Sequence, residues 1–455
     1  MSYYAIVTTL KDVRKHPNAD RLQLATVFGN TVCVSMECSE GQFGVYFPTG
    51  GQLSVNFAEV NNLLRKKDAE GNNIGGYMDP DKRNVTAIKL RGEKSDGLFL
   101  PLTCLETFGD ISILKTGDRI DVFNGTEICV KYIPKTNVRR GGVSAGNKTR
   151  KHKEPIAPLF AEHADTEQLA YNLGMFKPGD EVEITLKMHG TSQRTGHLKI
   201  LTGYKRTIWD KLFKRTGKPI YDWGYVSGTR RVVLDTFDGG FYGSNEFRKQ
   251  HHDTFVGKLW KGETVYYEVV GFTHTGAPIM GNGNNDKLGK DFVKQYGKET
   301  VFSYGCDPKG EREICACDDQ GPYKTVVGGP VSDIYVYRMT MTTEDGDVVE
   351  YTPDFTRYRC EQMGIKCVPV FEKFIIPEQV DAGEYVKDIA EKYYAGPDPV
   401  GKTHTREGVV VRIINRPKFA AVKHKNFEFK VLEGIISEKL AESTADIAED
   451  VLAEM

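Results

Sequence analysis

The run Glu181 to Lys187 (EVEITLK) alternates strictly, with Val182, Ile184 and Leu186 on one side and Glu183, Thr185 and Lys187 on the other. A period of two is the pattern of a strand with one packed face. Lys187 therefore ends the run on the face turned away from the core, and Met188, His189, Gly190 and Thr191 follow at once. Gly190 removes a side chain where a ligand could come close, and the hydroxyls of Thr191 and Ser192 come next. A strand ending in lysine, histidine and glycine suits phosphate chemistry. Taken alone, it suits a solvated strand edge equally well.

At 455 residues the chain exceeds one small core, and roughly 150 residues per domain predicts two or three. The formal net charge is only −1, so any contact with a polyanion must come from local patches. The opening MSYYAIVTTLKDVRKH lacks the basic start and apolar core of a signal peptide, and no segment approaches the ~20 apolar residues of a membrane span. A cytoplasmic protein with no membrane partner, monomeric by default, is expected. Nine cysteines scattered over so long a chain read as reduced thiols, and Cys306, Cys315 and Cys317 lack a fourth neighbour that would make a zinc site.

Residues 1–125 are rich in short alternating runs separated by Gly, Asn and Asp, a spacing that suits a small barrel. His16 to Leu22 (HPNADRL) and Lys89 to Leu98 (KLRGEKSDGL) resemble pieces of OB-type modules, which bind oligonucleotides through a basic groove and stacking aromatics. Residues 126–154 read as a basic linker: from Lys131 to Lys153 there are eight Lys or Arg and no Asp or Glu. A second domain over 155–432 begins with a short helix expected at 163–169, and an acidic helical tail over 433–455 closes the chain.

Within the second domain, Tyr204 to Lys218 (YKRTIWDKLFKRTGK) interleaves six basic residues with Tyr204, Trp209 and Phe213. This is either a nucleic-acid grip or the buried side of a surface helix. Arg230 and Arg231 sit beside small residues, as a phosphate contact would require. Glu268 interrupts the apolar strand TVYYEVVGF, and Glu407 opens the apolar strand REGVVVRI; buried carboxylates are costly unless they are paired or hold a metal. Tyr335 and Tyr337 share one face of DIYVYRM, while Lys423 and Lys425, two residues apart, share one face of AVKHKN. Two like charges on one face are more comfortable opposite a polyphosphate than opposite each other. Residues 377–395 look helical, and 273–330 read as loops and hairpins.

In this order, KMHGT, YYEVVGF, IYVYRM, EGVVVR and VKHKN resemble the nucleotidyltransferase motifs of ATP-dependent RNA ligases, over roughly 155–430. With the amino-terminal OB-like module, the chain is most similar to the Deinococcus type. The resemblance implies an α+β fold, with a small OB-like β-barrel followed by an ATP-grasp-like nucleotidyltransferase domain of antiparallel sheets flanked by helices. It also implies an enzyme that joins 3′-OH and 5′-phosphate RNA ends, nicked duplex included, through a lysyl-AMP at Lys187 and an adenylylated RNA 5′ end. ATP and Mg2+ or Mn2+ are the implied cofactors. By the same resemblance Glu268 contacts ribose, Tyr337 stacks on adenine, and Gly190, Arg230, Arg231, Lys423 and Lys425 serve the nucleotide. Glu407 holds the metal and His189 assists near the phosphates. An amine attacks only when neutral, and a free lysine with a pKa near ~10.4 is mostly protonated at neutral pH. Neighbouring cations are expected to help.

Tyr337-Arg338 departs from the Phe-Asp of related ligases, and extra length lies around 204–225, 273–330 and 380–405. Other covalent nucleotidyltransferases, DNA ligases and capping guanylyltransferases, typically have aspartate at the position of His189 and carry an OB domain after the catalytic one. A non-catalytic RNA-binding protein built on the same shell is the alternative of a different class.

Overall fold

The computed structural model describes residues 3–133, 154–306 and 331–434, apart from 68, 71–72, 214, 235 and 238–244, together with the strands 313–315 and 324–326. Most of the expected basic linker, Cys317 and the acidic tail beyond 434 lie outside the described residues. None of the described helices is long and apolar enough to cross a membrane.

The chain divides into two compact units, one of 1–135, 283–299 and 427–441 and the other of 136–282, 300–426 and 442–455. In the first, a four-stranded sheet runs in the order Leu98–Pro101, Phe43–Phe47, Ala5–Thr9, Arg119–Ile120, and a three-stranded meander covers Lys11–Lys15, Leu22–Val27 and Asn30–Ser35. Val7, Val45, Phe47, Phe57 and Leu105 are fully buried in its core. The described strands of this unit are grouped into separate sheets, with no closed barrel among them. Two later segments join this unit: Lys89 Nζ donates to the Leu288 carbonyl at 2.7 Å, and Lys430 Nζ lies 2.5 Å from Asp96 Oδ2. The expectation of only loops and hairpins over 273–330 missed the helix Lys290–Tyr296, which spans seven residues and buries none of them fully.

The second unit is built on two antiparallel-rich sheets. The larger has six strands in the order Val233–Leu234, Lys218–Gly228, Thr191–Lys205, Glu263–Gly271, Ser332–Thr342, Val348–Glu350. The smaller has five, in the order Glu167–Gln168, Ala420–Lys425, Gly408–Ile413, Glu181–Leu186, Val370–Ile375. Val182, Ile184, Val409 and Val411 are fully buried, the packed faces of the alternating strand Glu181–Leu186 and the more uniformly apolar strand Gly408–Ile413. Helix Pro353–Met363 starts with the Thr352 side chain accepting from Phe355 N–H, and helix Ala382–Tyr393 starts with Asp381 accepting from Glu384 N–H.

The helix expected at 163–169 is absent. Glu167 and Gln168 instead pair in parallel with Val422 and Lys423, and only a 3-10 turn follows at Leu169–Tyr171. The sheet edge offers that backbone partners that a one-turn helix lacks.

Candidate active site

Strand Glu181–Leu186 runs between Val370–Ile375 and Gly408–Ile413, and the residue after it carries the site. Lys187 N–H donates to the Gly408 carbonyl at 3.0 Å, which sets the lysine beside Glu407. Gly408 has φ +147, and a Cβ there would meet the His424 carbonyl at 2.1 Å, so only glycine allows this approach. The Glu183, Thr185, Lys187 face of the strand does not face bulk water. It forms one wall of a cleft of about 900 Å³, open solvent at its mouth included, which Arg230, Glu268, Tyr337 and His163 also line.

Glu407, 3% exposed, is the hub. Its Oε1 lies 2.7 Å from Lys187 Nζ and 3.2 Å from Lys425 Nζ, and its Oε2 lies 3.5 Å from His189 Nδ1. Burial alone would push this carboxyl up, but Lys187 and Lys425 outweigh it and hold the group well below the usual carboxylate range. Glu268 shows the opposite balance. Burial pushes it up to about 7 against the attraction of Lys187, and the negative charge of Glu407 adds to the rise. Lys423 is pulled down to about 7, by burial first and then by Lys425, Lys187 and Arg230. Glu268 lines the cleft, and Glu407 and Lys423 stand behind its lining lysine, Lys187; together they set one firmly ionised acid beside an acid and a base shifted toward neutrality, a pattern common at chemical sites.

The aromatic wall comes from a register shift. Tyr266 faces Arg338 and Tyr267 faces Val336 across the strands, so Tyr337 opposes no residue of its neighbour and is turned into the cleft. Its ring lies 5.0 Å from that of His163, which also contacts the rings of Tyr266 and Phe419. Burial and the cations Arg338, Arg230, Arg194 and Arg412 push His163 well below the usual histidine range, leaving a neutral ring. The departure at Arg338 has a structural reason: its guanidinium bonds both oxygens of Glu350 at 2.9–3.0 Å, and Arg412 Nη2 takes Glu350 Oε1 at 2.9 Å.

Several expected roles are resolved differently. Arg230 lines the cleft and Arg231 does not, and Asp165 binds both, at 3.0 and 3.2 Å. Gly190 does not leave room for a ligand. A Cβ there would meet the Val269 carbonyl at 2.3 Å and Glu268 Cγ at 2.9 Å, so the glycine lets the chain pack against its own Glu268 strand. His189 is buried behind Glu407, its N–H donating to the Tyr304 hydroxyl at 2.9 Å and its ring edge-on to Phe302 at 4.5 Å. Sequence reasoning missed His163, Phe302, Tyr304 and Arg412, and none of them carries a local pattern that would have revealed it.

Among the described residues no three His, Cys, Asp or Glu gather as a metal set. The nearby carboxylate donors are Glu268, which lines the cleft, and Glu407, held ionised against Lys187 and close enough for Glu268 to feel its charge. That pair fits magnesium or manganese, which bind through one or two carboxylates and complete the shell with water and phosphate oxygens.

No protein-family model and no curated protein sequence matches the chain. Solved structures do, and what they show is the fold: the chain shares the fold of a solved RNA ligase. Three mutants of the Naegleria gruberi RNA ligase, one with ATP and Mn, one apo and one with AMP and Mn, are each 14% identical, with a TM-score of 0.51. They cover 94% of this chain and 97–98% of their own. None of these likenesses speaks for the Deinococcus type in particular.

Proposed function

We propose that the chain is an ATP-dependent RNA ligase acting through a lysyl-AMP at Lys187. The observation that carries the reading is the convergence of Lys187, Lys425 and Glu407 within 3.2 Å, at the end of a cleft whose opposite wall is aromatic. Adenine stacks on Tyr337, whose far side is backed by His163, and the triphosphate lies toward Lys187, Lys423, Lys425 and Arg230. Lys187 Nζ, in its neutral form and held 2.7 Å from Glu407 Oε1, attacks the α-phosphorus, and the proton it sheds leaves with the pyrophosphate. An N–P bond forms and the P–O bond to pyrophosphate breaks. The 5′-phosphate of RNA next attacks the same phosphorus and breaks the N–P bond, and a 3′-hydroxyl then displaces AMP to seal the strand. Lysines on the developing phosphoryl charge supply the electrostatic part of such catalysis. Magnesium or manganese, bound at Glu407 and Glu268, would neutralise phosphate oxygens. His189 positions Glu407. The Naegleria gruberi structures with ATP, AMP and Mn support the nucleotide and metal assignment. RNA is the proposed partner, and the cytoplasm the proposed compartment.

Incubating the full chain with α-labelled ATP and a divalent metal is expected to leave label on the denatured protein. Lys187→Ala is expected to lose it by more than about a thousandfold, the scale of removing a covalent nucleophile. No label on wild type, or undiminished label on the variant, overturns the reading. Label from GTP alone points to a capping guanylyltransferase.

A further inference from the structure

The long hairpin of Thr191–Lys205 and Lys218–Gly228 carries the short helix Ile208–Leu212 at its tip. Described apolar side chains there face water: Ile208 is 83% exposed, Trp209 66%, Leu212 67% and Phe213 60%. This removes the buried-helix reading of the segment. The Trp209 and Phe213 rings are nearly parallel, 13° apart in plane with centroids at 6.1 Å, and the Arg215 guanidinium stands 5.6 Å from the Phe213 ring.

Along the same hairpin Trp223 faces Lys199 across the strands, and Lys199 and Lys261 place their amines 5.7 and 5.4 Å from the indole. The chain has three tryptophans, at 209, 223 and 260, and none is buried. Between 199 and 223 seven Lys or Arg meet two Asp, in a chain of net charge −1. Asp210 is engaged locally, accepting from Thr207 N–H and hydroxyl, and offsets part of the positive charge of Arg206 and Arg215. Lys199 does pair with Glu344 at 2.6 Å, but the pair is exposed and such pairs are weak in water.

Solvent-facing tryptophans among lysines and arginines match one ligand chemistry best: unpaired bases, which stack on aromatic faces, joined by a phosphodiester that the cations neutralise. A helix of five residues is too short to lay an amphipathic face on a membrane, and a purely apolar protein partner leaves the cation excess unexplained. We propose that this hairpin binds single-stranded RNA, taking bases on Trp209 and Trp223 and phosphates on Arg206, Arg215 and Lys261. The inference deepens the ligase reading by naming the surface that holds RNA beyond the cleft, and it rests on that reading for the choice of RNA.

The test uses the full chain and a fluorescent RNA of about 20 nucleotides with no 5′-phosphate, long enough to span a stacking track. Binding is followed by anisotropy over a range of salt concentrations. Trp209→Ala/Trp223→Ala is expected to weaken binding about tenfold or more. Arg206→Glu/Arg215→Glu is expected to weaken it similarly and to flatten its salt dependence. Labelling of Lys187 by ATP, which uses no RNA, stays at the wild-type level in both. Unchanged RNA affinity in both variants overturns the proposal. So does a loss confined to binding of phosphatidylserine vesicles. If wild type takes no label yet both variants lose RNA, the ligase reading falls and this one stands; if label forms and the variants bind RNA as wild type does, only this one falls.

Discussion

The cleft and the hairpin tip invert the ordinary distribution of residues in opposite senses. In the cleft, charge is buried: Glu407 is 3% exposed and Lys425 15%, with Lys187 and Glu268 beside them. At the tip, apolar surface is exposed, with Ile208, Trp209, Leu212 and Phe213 all above half. Neither arrangement is what folding alone selects, since buried charge costs desolvation and exposed tryptophan forgoes burial. The difference lies in how tightly each is held. Glu407 is fixed from three sides by Lys187, Lys425 and His189, whereas the described ring contacts at the tip are Trp209 with Phe213 and Phe213 with Arg215. Substitution in the cleft therefore perturbs stability and chemistry together, while substitution at the tip is expected to change binding alone.

The strongest way to break that comparison is Glu407→Leu. It leaves Lys187 and Lys425 as uncompensated charges and is expected to destabilise the protein by about 3–5 kcal/mol, read from chemical denaturation. A loss below about 1 kcal/mol would mean that the cleft is as loosely held as the tip.

A smaller effect is expected of Glu268→Gln across pH. The folded-state pKa of Glu268 is raised to about 7, so between the unfolded value near 4.5 and 7 the folded state binds more protons than the unfolded. Wild-type stability must then fall as pH rises through that window, by roughly 1–2 kcal/mol once solvent screening of a half-buried group is discounted. The glutamine variant should lack that fall, and parallel wild-type and variant profiles between pH 4.5 and 7 would remove the assigned burial penalty. The smallest effect belongs to Trp209→Ala, expected to shift stability by no more than about 0.5 kcal/mol, as surface substitutions do. A larger loss would show the tip to be a packed element.

The sequence made the motif strands legible because their periodicities are local. The alternation at 181–187, the acid Glu268 and the same-face pair Lys423 and Lys425 fall on strands observed within a residue or two of the expected bounds, and Glu407 sits one residue before the strand it was expected to open. What was not legible depends on distant neighbours. The 163–169 segment became a sheet edge because Val422 and Lys423 offered it hydrogen bonds. Gly190 serves packing because the Glu268 strand passes beside it, and His189 was turned behind Glu407 by Phe302 and Tyr304, more than a hundred residues away. Whether the apolar face at 208–213 is covered is likewise a question about the rest of the chain, and the helical period by itself cannot answer it.

The unpaired position at Tyr337 acts as a phase marker for its strand. Ile334 and Val336 before it and Met339 after it all reach the same hydrophobic core, which an uninterrupted period of two would not allow, because 336 and 339 differ by an odd number. The extra residue absorbs that mismatch. Deleting one residue here would force a choice between keeping Met339 in the core and keeping an aromatic ring in the cleft, so the length of this strand is as much a part of the nucleotide wall as the identity of Tyr337.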